Sequence, residues 1–334
     1  MLFFCGKRTR IRFVKEKLFR ILQLLIIAAI LYLVFGRNLA SIREALNALS
    51  LPKTVILLGA GCIYYLLEGA AYTQAFGAQR KLSLFRGVVL SFLGLFANVT
   101  TAGAGALPLQ VLYLQDTEIP AAASAGVCLY SYILHKAAVL LLAAFCLLLG
   151  IGSGMEVSDL APYLAYGFAA GTAITVILTL AACSTRINQL GQRFCEKMPE
   201  RFAKQKRSLQ ENLQLLNTEV KDCFARKGTT LSVLLLDLLK FLSLCLLPAL
   251  IFRFLQLPLP TLKAVIYTSL ILALSGSLPN VSGLGPIEFA FLLFFGRDLP
   301  QQQVSSLLLV YRLANYFFPF LLSLPAVMMV RRKS

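Results

Sequence analysis

Apolar residues run almost unbroken through 18–35, 55–76, 120–150, 161–183, 229–252 and 304–330. Each run is close to or above the roughly 20 residues a helix needs to cross a hydrocarbon core. These six runs predict membrane-spanning helices. Two further apolar stretches are interrupted, by TTAGAGALPLQ at 100–110 and by LSGSLPNVSGLGPIE at 274–288. Proline and glycine break a helix there. Inside a bilayer, non-helical backbone persists only where protein or a water-filled cavity pairs the freed N–H and C=O groups. The two breaks are therefore the candidate substrate sites, and two of them in comparable positions suggest a transporter-like repeat.

The one long polar segment, 184–228, has its own period. Ile187, Leu190, Phe194, Met198 and Phe202, then Leu209, Leu213, Leu216, Val220 and Phe224, recur at spacings of three and four. That is a pair of amphipathic helices broken near Pro199. Two readings stay open: a basic pair lying on the cytoplasmic leaflet and holding anionic lipid, or a connector packed against the bundle. The second is slightly favoured, because any loop on that side would be basic.

Composition agrees with the pattern. Of 334 residues 58% are hydrophobic and 14% charged, and the mean hydropathy is +0.76, which excludes a water-soluble globular domain of this length. The net charge of +17 is concentrated outside the apolar runs. Membrane topology accounts for it better than nucleic acid, and no nucleic-acid partner is expected. The eight cysteines are scattered without a CxxC pair or a histidine cluster, so neither a metal site nor a disulfide framework is expected. No phosphate-binding loop, nucleotide fingerprint or catalytic constellation is found, and no cofactor is expected.

Charge also orients the chain. Lys7, Arg8, Arg10, Arg12, Lys15, Lys17 and Arg20 precede the first run, which lacks a small-residue cleavage site and reads as a retained span rather than a signal peptide. Arg80, Lys81 and Arg86, the ten basic residues of 184–228, and Arg331, Arg332 and Lys333 fall on the cytoplasmic side. The loop 151–160, with Glu156 and Asp159 and no Lys or Arg, falls outside. Both termini are then cytoplasmic. Stretch 88–119 must begin and end inside, and 261–298 must begin and end outside.

The expected fold is thus an all-α polytopic helical bundle, a single integral membrane domain over 1–334. Two re-entrant broken hairpins sit in an inverted-topology repeat with halves 55–150 and 229–330. The alternative is that each break is a loop between two short ordinary spans.

Ionisable residues at membrane depth are functional candidates by default. Glu68, His135, Lys136, Asp237, Lys240, Glu288 and Arg312 lie within or against apolar stretches. Asp237 and Lys240, three apart, share a helix face and can pair. Lys136 is expected to face the interior, compensated by a phosphate or by a carboxylate such as Glu68. His135 reads as a hydrogen-bonded core residue. Glu288 follows GLGP and is expected to open a half-helix at 286–296, with Pro286 near its first position. Arg312 lies about a third of the way along the last run, deep enough for bidentate phosphate contact. Glu288 and Arg312 are read as one wall of the site, and the 100–110 break as the other.

These residues resemble the lysylphosphatidylglycerol synthase transmembrane region, the membrane part of the multiple peptide resistance factors that also occurs as stand-alone proteins. SLPNVSGLGPIE resembles the family's proline, paired glycines and glutamate. LLLVYRLANYFFPFLLSLPAV resembles its last span, with one arginine and one proline, and TTAGAGALPLQVLYL resembles its glycine-rich first break. The resemblance implies site roles for Gly283, Gly285, Glu288 and Arg312, and also for Gly103, Gly105 and Pro108. The chain departs from the family pattern at Ala106, Leu107 and Gln110, where an acid and an arginine are usual. It departs again at YSYILHKA, 130–137, where relatives carry a glutamate, an arginine and an aspartate.

The leading functional expectation is a cell-membrane flippase for a phospholipid, aminoacylated phosphatidylglycerol among the candidates, or for a lipid-linked headgroup. One alternative is a component of phosphatidylglycerol lysyltransfer that lacks the catalytic domain, in aminoacyl-lipid synthesis and cationic-peptide resistance. The other is a scaffold for an envelope enzyme. Expected partners are the phospholipid and anionic membrane lipids. A separate lipid-modifying enzyme and a homo-oligomer are left open.

Overall fold

Proline heads most of the helices, at the N-cap or in the first two positions, where its missing N–H costs no hydrogen bond. Pro52 opens α1 (Leu51–Phe76), Pro120 α4 (Ala121–Gly152) and Pro162 α5 (Ala161–Cys183). Pro260 opens α9 (Thr261–Ser275), Pro286 α10 (Pro286–Phe295) and Pro300 α11 (Gln301–Arg312). Ser83 caps α2 (Leu84–Thr100) by accepting the Arg86 N–H, and Ser184 caps α6 (Thr185–Glu196) by accepting that of Ile187. The remaining helices are α3 (Ala106–Leu114), α7 (Ala203–Ala225), α8 (Lys227–Leu255) and α12 (Phe318–Met328). A π-helical segment, Leu313–Phe317, joins α11 to α12.

This computed structural model describes residues 49–77, 82–101, 105–115, 119–197, 199, 203–278 and 285–330. The expected span 18–35 with its basic leader, and Arg80, Lys81, Met198, Phe202 and 331–333, lie outside them. Among the described residues there is no strand. Five helical stretches are long and apolar enough to cross a membrane: Leu51–Phe76, Ala121–Gly152, Ser158–Cys183, Lys227–Leu255 and Gln301–Met328. They match the expected runs to within a few residues, and helices end at Thr100 and Ser275 and begin again at Ala106 and Pro286, on either side of the expected breaks.

The packing maps onto itself when 51–152 is exchanged with 227–328. The first helices of each half, α1 and α8, lie against each other. The contact of α1 with α2 is matched by α8 with α9, α2 with α3 by α9 with α10, and α3 with α4 by α10 with α11. Across the halves, α2 meets α12 as α9 meets α4. Small residues permit the closest approaches. A Cβ on Gly61 would collide with the Ala314 carbonyl of the π segment, and one on Gly87 with the Gly69 carbonyl of α1.

Loops gather at the two ends of the bundle. At one end Arg297, in the α10–α11 turn, donates to Asp159 Oδ2 at 3.3 Å and to the Glu156 carbonyl at 3.2 Å. Lys263 at the head of α9 pairs with Asp298 at 2.6 Å. At the other end Arg226, between α7 and α8, donates to the Ala75 carbonyl at the close of α1, which Gly77 ends with φ +72°.

The two helices of the amphipathic pair differ in burial. Helix α7 packs on α4, with Val220 and Cys223 fully buried and Asn217 donating to the Ala182 carbonyl. It is a connector seated on the bundle. Helix α6 leaves Ile187, Leu190 and Phe194 exposed at 42%, 62% and 76%.

Candidate functional site

One face of α1 carries Gly61, Tyr65, Glu68 and Tyr72 at spacings of four, three and four. That stripe faces inward and touches structures belonging to both breaks. Tyr72 Oη accepts from Gln110 Nε2 of α3 at 3.0 Å, and the same amide donates to the Leu90 carbonyl of α2 at 3.1 Å. Gln110 is 5% exposed. Gln110 thus ties α3 to α1 and α2. The first break itself is closed by Thr101, whose hydroxyl donates to the Ala97 carbonyl at 2.7 Å and accepts the Gly105 N–H at 2.6 Å. Gly105 is the N-cap of α3, and Pro108 stands in its first turn, where its ring removes no intrahelical bond.

One turn along α1 from Tyr72, Glu68 enters a charged cluster. Its Oε2 accepts from Ser91 Oγ at 2.5 Å, and its Oε1 lies 3.6 Å from Lys240 Nζ. Lys240 also meets Asp237 Oδ1 at 2.5 Å and His135 Nδ1 at 3.0 Å, beneath the rings of Tyr64 and Phe241. An ammonium can only donate, so His135 accepts through a lone pair on Nδ1 and carries its proton on Nε2. The expected pair of Asp237 and Lys240 is present, and His135 is hydrogen-bonded and half-buried. Of the two compensations expected for Lys136, the Glu68 carboxylate is taken instead by Lys240, and Lys136 donates to the Gly276 carbonyl at 2.9 Å. That carbonyl ends α9 at the second break, where a cation suits the negative helix terminus.

At the second break Gly285 holds φ +99°, a region that L side chains rarely adopt, and caps α10. Its N–H donates to Glu288 Oε2 at 2.6 Å, the return half of a capping box. Glu288 Oε1 receives Arg312 through Nε at 2.7 Å and Nη2 at 2.6 Å. Arg312 is 4% exposed and lies over the Tyr316 ring at 5.1 Å, while the Glu288 side chain keeps 30% exposure. The π segment begins one residue later. Such bulges free a carbonyl from the helical ladder and recur at functional sites. Here the Asn315 carbonyl accepts Tyr65 Oη at 2.9 Å, which ties the α1 stripe to the stretch that carries Arg312.

The geometry therefore unites Glu68, Asp237 and Lys240 in one cluster, Glu288, Arg312 and Gly285 in another, and Lys136 with the end of α9. Gly105 and Pro108 belong to α3, whose packing is to α2 and α4, whereas α10 packs on α9 and α11. Among the described residues, α1 and the π segment connect α3 with the stretch that carries Arg312. Gly103 and Gly283 lie outside the described residues. Sequence reasoning missed Tyr65, Tyr72, Ser91 and Gln110. The 61, 65, 68, 72 spacing around Glu68 was the available signal for the two tyrosines.

The family described as Lysylphosphatidylglycerol synthase TM region matches residues 20–323. The chain belongs to that family, and it is a multi-pass membrane protein with a membrane lipid-related role. It matches no curated protein and no solved structure at a significant level.

Proposed function

We propose that this member of the family moves a phospholipid, or a lipid-linked headgroup, between the leaflets of the cell membrane, with both termini in the cytoplasm. The observation that carries the reading is the polar stripe of α1 that joins the two helix breaks through the interior. A headgroup crossing a bilayer needs such a path, because each polar group left in hydrocarbon costs several kcal/mol.

Helix lengths support the re-entrant arrangement. At 1.5 Å per residue the nine residues of α3 and the ten of α10 reach only about 14 and 15 Å, half of a roughly 30 Å core. On this reading each turns within the membrane and leaves a terminus at depth. The headgroup binds at α10: a phosphate presents to Arg312 the acceptor geometry that Glu288 presents, and Glu288 keeps an exposed edge through which it can be exchanged. Lys136 supplies a second cation at the same break. The exposed apolar face of α6, flanked by Arg186, Arg193 and Lys197, suits the anionic cytoplasmic leaflet.

The test is translocation of fluorescent phosphatidylglycerol in proteoliposomes. Arg312→Gln and Glu288→Gln, each shown to be folded, should fall to the protein-free rate. Wild-type rates in both would sink the assignment.

A further inference from the structure

Charge does not balance in the cluster between α1, α4 and α8. Glu68 and Asp237 are two carboxylates, Lys240 is one ammonium, and His135 accepts from it and is neutral. With both acids ionised the group carries one net negative charge at membrane depth, which is costly and is relieved by binding a cation or a proton. The three acidic and basic side chains are not equivalent. Asp237 and Lys240 are 3% and 1% exposed and in close contact, so they neutralise each other. Glu68 is 18% exposed, stands 3.6 Å from Lys240, and holds its second oxygen on Ser91. The excess charge and the access both fall on Glu68.

We propose that Glu68 is a proton-binding site that couples lipid movement to a proton gradient. The carboxylate takes a proton from one side of the membrane, forming an O–H bond at Oε1. Its attraction to Lys240 is then lost, while Asp237 and His135 keep the ammonium satisfied. Release to the other side restores the ionised form. Glu68 belongs to α1 and Lys240 to α8, the two helices that join the halves of the repeat, so protonation loosens the ionic contact across that junction. The coupling rests on the lipid-movement reading; the proton site does not.

The groups that face Glu68 fit a proton better than a metal ion. They are Tyr64, Tyr65 and Tyr72 from α1, Ser91 from α2, and Asp237 and Lys240 from α8, with Arg312 of α11 beyond Tyr65 and His135 and Cys128 of α4 behind. The ammonium occupies the place where a metal would sit between the carboxylates, and no cluster of metal-ligating side chains exists among the described residues.

The experiment uses the full chain in lipid nanodiscs, followed by infrared difference spectroscopy between alkaline and acidic pH. A protonated-carboxyl stretch of Glu68 should appear on acidification as the component of the carboxyl band that Glu68→Gln loses and Glu288→Gln retains, the other acids contributing alike. Ser91→Ala removes the hydrogen bond to Glu68 without touching its charge, and should displace the midpoint of the band. If Glu68→Gln does not fold, that displacement carries the test. A band unchanged in Glu68→Gln, or a midpoint unmoved in Ser91→Ala, overturns the proton site. In proteoliposomes, an imposed pH gradient should alter the wild-type rate of phosphatidylglycerol movement and leave that of Glu68→Gln unaffected; a wild-type rate indifferent to the gradient overturns the coupling. A Glu68 band without any lipid movement would defeat the flippase reading and leave the proton site standing.

Discussion

Arg312 meets a single carboxylate oxygen of Glu288 through both Nε and Nη2, at 2.7 and 2.6 Å, while the other oxygen of Glu288 holds the Gly285 N–H at 2.6 Å. One carboxylate thus closes the start of α10 and anchors the last span to it. The arginine is buried and the acid is partly open, so the pair has an inner and an outer end.

Removing one member of that pair should be costly. Arg312→Ala takes the cation away from a carboxylate that is 30% exposed, and a loss of about 1–3 kcal/mol is expected. The double variant with Glu288→Ala should recover part of it, because no uncompensated charge remains. Thermal unfolding in detergent across the four proteins of the cycle measures the coupling.

Gly285→Ala places a Cβ at φ +99°, and about 1–2 kcal/mol of destabilisation is expected from that conformation alone. Space is not the obstacle, since a Cβ there meets nothing within 4 Å. A melting temperature equal to wild type would show that the turn can rearrange.

Two glycines of α1, two residues apart, should respond in opposite ways. Gly61→Ala drives a Cβ into the Ala314 carbonyl and should lower the yield of folded protein or its melting temperature. Gly59→Ala meets nothing within 4 Å and should be neutral, or stabilising by up to about 1 kcal/mol through helix propensity. Detergent-solubilised yield with thermal unfolding distinguishes them.

Gln110→Leu deprives the Leu90 carbonyl and Tyr72 of their donor, at an expected cost of about 1–3 kcal/mol for the buried groups left without it. Lipid movement should fall with it, since Tyr72 and Glu68 share the α1 stripe. A stable variant with full transport would reduce Gln110 to a packing residue.

Orientation has a direct check. In a background whose native cysteines are replaced, Val157→Cys should react with a membrane-impermeant thiol reagent on intact cells. Lys206→Cys should react only after the membrane is opened. The opposite result would reverse the topology derived from the loop charges.

Much of this was legible along the chain, because the relevant physics is local. Roughly 20 apolar residues in a row form a spanning helix wherever they occur, and glycine and proline interrupt it by sterics that no neighbour removes. The runs that became α1, α4, α5 and α8, the two breaks, the Asp237 and Lys240 pair and the opening of α10 at Pro286 follow from such rules. Loop charge likewise sorted 151–160 and 184–228 to opposite ends.

What the chain could not reveal is which partner each buried group would take. Glu68 lies with Lys240, 172 positions away, and not with Lys136, because α8 crosses α1 closely and presents its cation there. Lys136 turns to the Gly276 carbonyl for the same reason, α9 lying against α4. Whether α6 or α7 would seat on the bundle was equally undecidable, since both are amphipathic and only contact with α4 distinguishes them. Sequence by itself determined the membrane helices, their breaks and the charges at depth, because length, sterics and hydropathy act between neighbours in the chain. The tertiary structure decided how those charges pair and which path joins the breaks, because a buried charge is satisfied by whatever the packing brings within reach.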